Sequence, residues 1–225
     1  MSLFQRSPFM SLPEYQARVI MCDPPWHFVN YSEKGEQKNP AAHYDCMPLD
    51  EIQALPVLEL ADPTGCALVM WATGPMLPQA IETMTCWGFK FVSAGAWAKQ
   101  SSTGKKWAFG TGYVYRSAAE FWLLGCVGKP KFRSRSIRNL IVSPVREHSR
   151  KPEMMRAMCE KQFDGPRIEL FARESALGWM SWGNQATKFD VDADPASVGS
   201  AVLARDPARS SPAHDVIGNV SGALL

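Results

Sequence analysis

A run of apolar residues that halts on two prolines constrains this chain most. Residues 17–22 read as a buried strand, and Asp23-Pro24-Pro25-Trp26 follows at once. Proline lacks an amide hydrogen and has a fixed φ, and the residue before it is pushed to extended geometry. A strand that meets this pair must stop, so the tetrapeptide should stand at its carboxyl end. Residues 66–71, 89–98, 120–127 and 167–171 read as further strands. Between them, 49–60, 77–87 (closed by Gly88) and 152–163 carry helical spacing, the last with Pro152 at its first helical position. Continuous apolar strands alternating with helices imply an α/β protein, its mostly parallel sheet covered by helices on both faces. In open sheets of this kind ligands bind beyond the carboxyl ends of the strands.

Of 225 residues, 46% are hydrophobic and 20% charged, which suits one domain with a true core. The domain is expected over 1–187. From 188 to 225 Ala, Ser, Pro, Asp and Val replace the aromatics, and a flexible tail is expected. The polar stretch 30–42 and the glycine-bearing stretch 100–113 read as loops, where substrate contact concentrates. Six scattered cysteines form no Cys-x-x-Cys pair, which points to a reducing compartment and to neither a disulfide framework nor a metal site. No apolar run is long enough to span a membrane, and no secretory leader is apparent. A soluble cytoplasmic protein is expected.

Net charge is only +2, but its distribution is uneven. Residues 99–151 hold twelve Lys and Arg against Glu120 and Glu147, a local charge of +10 that leaves −8 for the rest. Residues 128–138 carry Lys129, Lys131, Arg133, Arg135 and Arg138 around Phe132, and Lys105 and Lys106 lie in the preceding loop. Either this is a polyanion-binding face or it is a solvated basic surface. Phe109, Tyr113 and Tyr115 are candidates to stack on a base, or are core and edge residues of a strand. His43 and Tyr44 either approach the site or are structural.

The 23–26 loop is stiff and offers only acceptors, the Asp23 carboxylate and main-chain carbonyls, notably that of Pro24. An amino group bound there can donate one hydrogen to each. The amine of adenine is a poor nucleophile because its lone pair is delocalised into the ring, and two acceptors can orient it. Trp26 offers a flat apolar face, and base stacking is worth about 1–3 kcal/mol.

The tetrapeptide and several later segments resemble the MT-A70 family of adenine-N6 methyltransferases. The similarity runs from about residue 18 to 185. It includes Val69-Met70-Trp71-Ala72, Arg116-Ser117-Ala118-Ala119-Glu120, Arg150-Lys151-Pro152-Glu153, the run from Arg167 to Arg173, and Gly183-Asn184-Gln185. It implies a Rossmann-like methyltransferase fold with permuted motif order, the catalytic loop first and the cofactor strand late. It also implies S-adenosyl-L-methionine as cofactor, with Asp23, Pro24, Pro25 and Trp26 catalytic. Asp23, Pro25, Lys151, Glu169, Phe171, Arg173, Asn184 and Gln185 would border the cofactor, Lys151 near its carboxylate and the amide pair at its adenosine. Where eukaryotic relatives carry a His-Asn pair, this chain has Ser175 and Ala176.

The expected reaction is base capture followed by direct in-line methyl transfer to adenine N6, in DNA rather than RNA, by a bacterial or phage-type enzyme of strict or relaxed site specificity. The basic residues at 105–106 and 129–138 would hold the nucleic acid, and a homo-oligomer is compatible with the sequence. The rival readings are an RNA adenine-N6 methyltransferase and a catalytically silent nucleic-acid-binding subunit. Base deamination is excluded by the absence of its His-x-Glu and Pro-Cys-x-x-Cys pair.

Overall fold

Strand β1, Val19–Cys22, is buried at every residue, which only a central strand covered on both faces allows. The computed structural model describes residues 7–26, 46–112, 114–146 and 150–190. The expectations for the 30–42 loop, for His43, Tyr44 and Tyr113, and for the tail beyond 190 lie outside those residues. The remaining strands are β2 Gly65–Ala72, β3 Lys90–Gln100, β4 Ala119–Gly128, β5 Leu140–Pro144, β6 Arg167–Leu170 and β7 Met180–Trp182. They form one sheet in the order β5-β3-β4-β2-β1-β6-β7. β1 pairs parallel with β2 and β6, β6 with β7, and β3 with β5. Only β4 is reversed, antiparallel to both β2 and β3. The carboxyl ends of six strands and the amino end of β4 therefore share one edge.

Alternation along β1 sends Ile20 and Cys22 to one face and Val19 and Met21 to the other. On the first face lie α1 (Leu49–Gln53) and α2 (Leu77–Cys86), which bury Ile52, Ala80 and Met84. The Trp87 indole donates to the Ile52 carbonyl at 2.8 Å and ties the two helices together. Gly88 follows α2 at φ 78°, the left-handed conformation that closes a helix without steric cost. On the second face α3 (Met154–Gln162) buries Met155 and Cys159 against Met21, Val69 and Trp71. Each of the isoleucine and methionine side chains among them, fully buried, stabilises the fold by about 1.5–3 kcal/mol.

Two boundaries differ from expectation, and two strands are additional. The helical spacing over 49–60 breaks at Pro56 into α1 and a single 3-10 turn, Val57–Leu60. α3 begins at Met154 and not at Pro152, whose carbonyl accepts from the Met155 amide. β5 and β7 are additional strands, short and only partly buried, with too little apolar pattern to stand out. Beyond 187, Phe189 still donates its amide to the Arg173 carbonyl, and Asp190 accepts from the amide and hydroxyl of Ser175 at 2.7 Å each. No helix among the described residues is long and apolar enough to cross a membrane.

Candidate active site

The 23–26 loop leaves the sheet edge between β2 and β6 and is fixed from three sides. The Trp26 amide turns back onto the Pro24 carbonyl at 2.8 Å, and the Met47 amide donates to the Pro25 carbonyl at 3.0 Å. The Trp26 indole donates to the Trp71 carbonyl at 3.1 Å from a buried position. Trp26 is thus part of the core, only 5% exposed, and does not present the stacking face expected of it. The loop needs an apolar anchor more than an exposed ring, because two prolines leave it few amides with which to bind the body. The Pro24 carbonyl spends one lone pair on the Trp26 amide and keeps the other.

Asp23 reaches across the edge to Lys151. The Lys151 ammonium lies 2.8 Å from Asp23 Oδ2 and 2.7 Å from Glu120 Oε1, while Lys99 holds Glu120 Oε2 at 2.6 Å. Burial alone would lower the pKa of Lys151, but the charges of Asp23 and Glu120 outweigh it and raise it above the ordinary lysine value. Burial would likewise raise Glu120, but Lys151 and Lys99 bring it down to about 2. Cys22, just before Asp23, is no nucleophile: burial first, then the charges of Asp23 and Glu169, push its thiol well above the usual range.

Beside this junction a second charged cluster closes a recess of about 40 Å³ lined by Asp23, Trp71, Lys151, Met155, Glu169, Arg173 and others. Arg156 joins the Glu169 and Glu174 carboxylates at 2.7 Å each, and Arg150 also pairs with Glu174. Burial raises the pKa of Glu169 although Arg156 opposes it. On the other side of Asp23 opens a cavity of about 310 Å³, lined by Asp23, Pro25, Met47, Glu51, Phe171, Arg173, Trp182, Gly183, Asn184 and Gln185 among others. Its volume and mixture of aromatic walls with a few polar groups suit a nucleoside-sized ligand. Gly183 lines it where the chain packs closely on Phe171 and Ala172: an added Cβ would stand 3.0 Å from the Ala172 amide nitrogen and the Phe171 Cα. Phe171 itself takes φ 58° as the chain turns off β6.

Asp23, Pro25, Lys151, Glu169, Phe171, Arg173, Asn184 and Gln185 therefore gather around two adjoining spaces. Two of three ammonium hydrogens of Lys151 are engaged by carboxylates, leaving one for a further acceptor. Lys105 and Lys106 lie exposed on the loop joining β3 to β4, at the same edge of the sheet. The basic stretch after β4 does not lie there. Because β4 is reversed, Lys129, Lys131 and Arg133 stand at the opposite edge: the Lys129 amide donates to the Thr64 carbonyl before β2, and Arg133 pairs with Asp164 after α3. The stretch expected to hold nucleic acid therefore stands apart from the 23–26 loop. Sequence reasoning also passed over Glu120, Lys99, Arg156 and Glu174 as site residues. For Glu120 a signal existed, since a carboxylate at the head of the apolar strand Phe121–Leu124 needs a charged partner.

The MT-A70 family model matches residues 17–185. An Arabidopsis thaliana N(6)-adenosine-methyltransferase MT-A70-like protein is 33% identical over 171 residues, 74% of this chain and 23% of that protein. The type II methyltransferase M.MunI of a Mycoplasma species is 31% identical over 195 residues, 78% of this chain and 80% of its own. The human N(6)-adenine-specific methyltransferase METTL4 is 31% identical over 186 residues, 76% and 38% respectively. The chain spans about a quarter of the length of the plant proteins it matches. A match over most of the folded residues, with the 23–26 loop and the two spaces beside it inside the matched span, makes this chain a member of the MT-A70 family.

Proposed function

We propose that this protein transfers a methyl group from S-adenosyl-L-methionine to the N6 amino group of adenine in nucleic acid, and that the nucleic acid is DNA. The observation that carries the reading is the position of Asp23. Its carboxylate borders both the 310 Å³ cavity and the 40 Å³ recess, so an amine acceptor and a nucleoside-sized space meet at one group.

The residues present fit the cofactor. Phe171 and Trp182 give the cavity aromatic walls. The side-chain amides of Asn184 and Gln185 suit the hydroxyl and ring-nitrogen edges of an adenosine. Lys151 and Arg173, which line the recess, suit the carboxylate of its amino-acid end. When bound, S-adenosyl-L-methionine supplies an already activated methyl group, so the protein's task is orientation.

That task falls to the 23–26 loop. Asp23 Oδ1 and the free lone pair of the Pro24 carbonyl accept the two amine hydrogens and turn its nitrogen lone pair outward. Lys151 holds Asp23 Oδ2, which fixes the carboxylate in place. N6 is inaccessible inside a duplex, so the target base must be flipped or already unpaired. Exposed Trp107, Phe109 and Tyr115 on the β3–β4 loop, with Lys105 and Lys106, are the groups to receive it.

DNA is favoured because the alignment with the type II methyltransferase covers most of both chains, whereas the plant adenosine methyltransferases are matched over about a quarter of theirs. The decisive experiment offers labelled S-adenosyl-L-methionine with matched DNA and RNA to the wild-type protein and to Asp23→Ala. Label in DNA adenine, lost in the variant, is the expected result. Label in RNA alone would reverse the choice of polymer, and undiminished transfer by Asp23→Ala would end the role given to that residue.

A further inference from the structure

The basic stretch that the reversed strand carries away from the site is well placed for a task of its own. From Glu120 at the catalytic edge to Gly128, β4 advances eight residues, about 26 Å at roughly 3.3 Å each. The chain then runs along the opposite edge, held there by its backbone. Lys129 donates to Thr64, Arg133 to the Gln162 carbonyl, and the Gln162 side chain returns a bond to the Ser134 carbonyl at 2.8 Å. These bonds fix an irregular segment against the sheet and the end of α3, with its basic side chains exposed. Lys129, Lys131, Arg133, Arg135 and Arg138 are all exposed, and Phe132, 52% exposed, carries the Arg135 guanidinium 5.7 Å from its ring. Asp164 neutralises Arg133, but Lys129, Lys131 and Arg135 form no ion pair among the described residues. Lys90 and Lys161, also exposed, open β3 and close α3 at that edge.

We propose that this segment is a second, remote anchoring surface for the nucleic-acid backbone, gripping phosphates on the flank of the target and taking no part at the reacting base. The proposal rests on the nucleic-acid reading above. At 3.4 Å per base pair, 26 Å corresponds to about eight base pairs, so only a substrate extending at least that far from its target adenine reaches both places. The chemistry fits phosphate better than an acidic protein surface: spaced point charges, serine hydroxyls at 134 and 136, and one arginine stacked on an exposed ring.

The test compares the wild type with a Lys129→Ala, Lys131→Ala, Arg135→Ala triple variant, all substitutions at exposed positions. Affinity for a 30-base-pair duplex is measured across a salt series. Each phosphate contact adds about 0.9 to the slope of log affinity against log salt, so the variant's slope should fall by roughly 2 to 3. Methyl transfer is then measured on the 30-mer and on a 10-mer with its adenine central, which reaches only about 17 Å to either side. The expected result is a KM raised several-fold on the 30-mer, an unchanged KM on the 10-mer, and the same kcat on both. An unchanged salt slope overturns the anchor. So does an equal loss on both lengths, which would bring the segment to the transfer edge, or displacement of the duplex by polyglutamate at equal charge, which would make the partner an acidic protein. If the wild type methylates neither polymer, the function proposed above fails, and the salt slope alone decides the anchor.

Discussion

The Lys151 ammonium lies 2.8 Å from the Asp23 carboxylate and 2.7 Å from that of Glu120, joining the loop after β1 to the first residues of β4. Three charges at one sheet edge, with Lys99 behind Glu120, form a chain of alternating sign. Removing the central one leaves two carboxylates facing each other in a largely buried position. Such a loss destabilises proteins by about 3–5 kcal/mol when the pair is buried. Lys151→Met should approach the lower end of that range in urea denaturation, since Lys99 still serves Glu120. It should also lower the rate of methyl transfer by at least roughly 100-fold, because Asp23 loses the group that orients it. Wild-type stability in this variant would show the ion chain to be inconsequential.

Glu120 gives the chain a pH signature. Its folded-state value of about 2 lies below that of an ordinary glutamate, so its contribution is present above about 4.5 and is lost as pH falls toward 2. Lys151, raised above the ordinary lysine value, contributes below that value and loses its contribution only in strong alkali. Glu169 acts with the opposite sign at the acid end, because its raised value makes its contribution weaken as pH rises past the ordinary glutamate range. Glu120→Gln isolates the first effect. Its stability curve between pH 4.5 and 2.5 should be flatter than that of the wild type, as read from urea midpoints.

Gly183 tests the cavity. A methyl group there would stand 3.0 Å from backbone atoms of Phe171 and Ala172, which cannot rotate away as a side chain would. Gly183→Ala should weaken cofactor binding more than about tenfold in calorimetry, a loss of about 1.4 kcal/mol or more. Binding at wild-type strength would place the nucleoside elsewhere.

Trp26 is the residue whose role the structure changes most. Truncating a buried tryptophan costs about 3–5 kcal/mol, and Trp26→Ala should lose stability on that scale. Trp26→Phe keeps most of the ring but leaves the Trp71 carbonyl without its donor, at about 1–3 kcal/mol. Its KM for nucleic acid should nevertheless equal that of the wild type. A raised KM in a fully folded Trp26→Phe protein would restore the stacking role.

The amino-acid sequence by itself determined that Asp23 stands at the end of a buried strand, because apolar runs and proline pairs act on their own neighbours. It likewise carried the strands through Met70, Trp97, Leu123 and Ile168, and the helices through Ala80 and Met155. The amide pair at 184–185 became legible only through resemblance, since a Gly-Asn-Gln turn has no chemistry that singles it out. Tertiary structure alone decided the direction of β4. An apolar strand reads the same in either direction, so nothing local reveals which end of 119–128 meets the catalytic edge. Pairing with β2 and β3 settles it, bringing Glu120 to Lys151 and carrying Lys129 to the far side of the sheet. The facing of Trp26 was decided in the same way: the polar partner its indole needs, the Trp71 carbonyl, lies 45 residues along the chain and becomes a neighbour only when β1 and β2 pair.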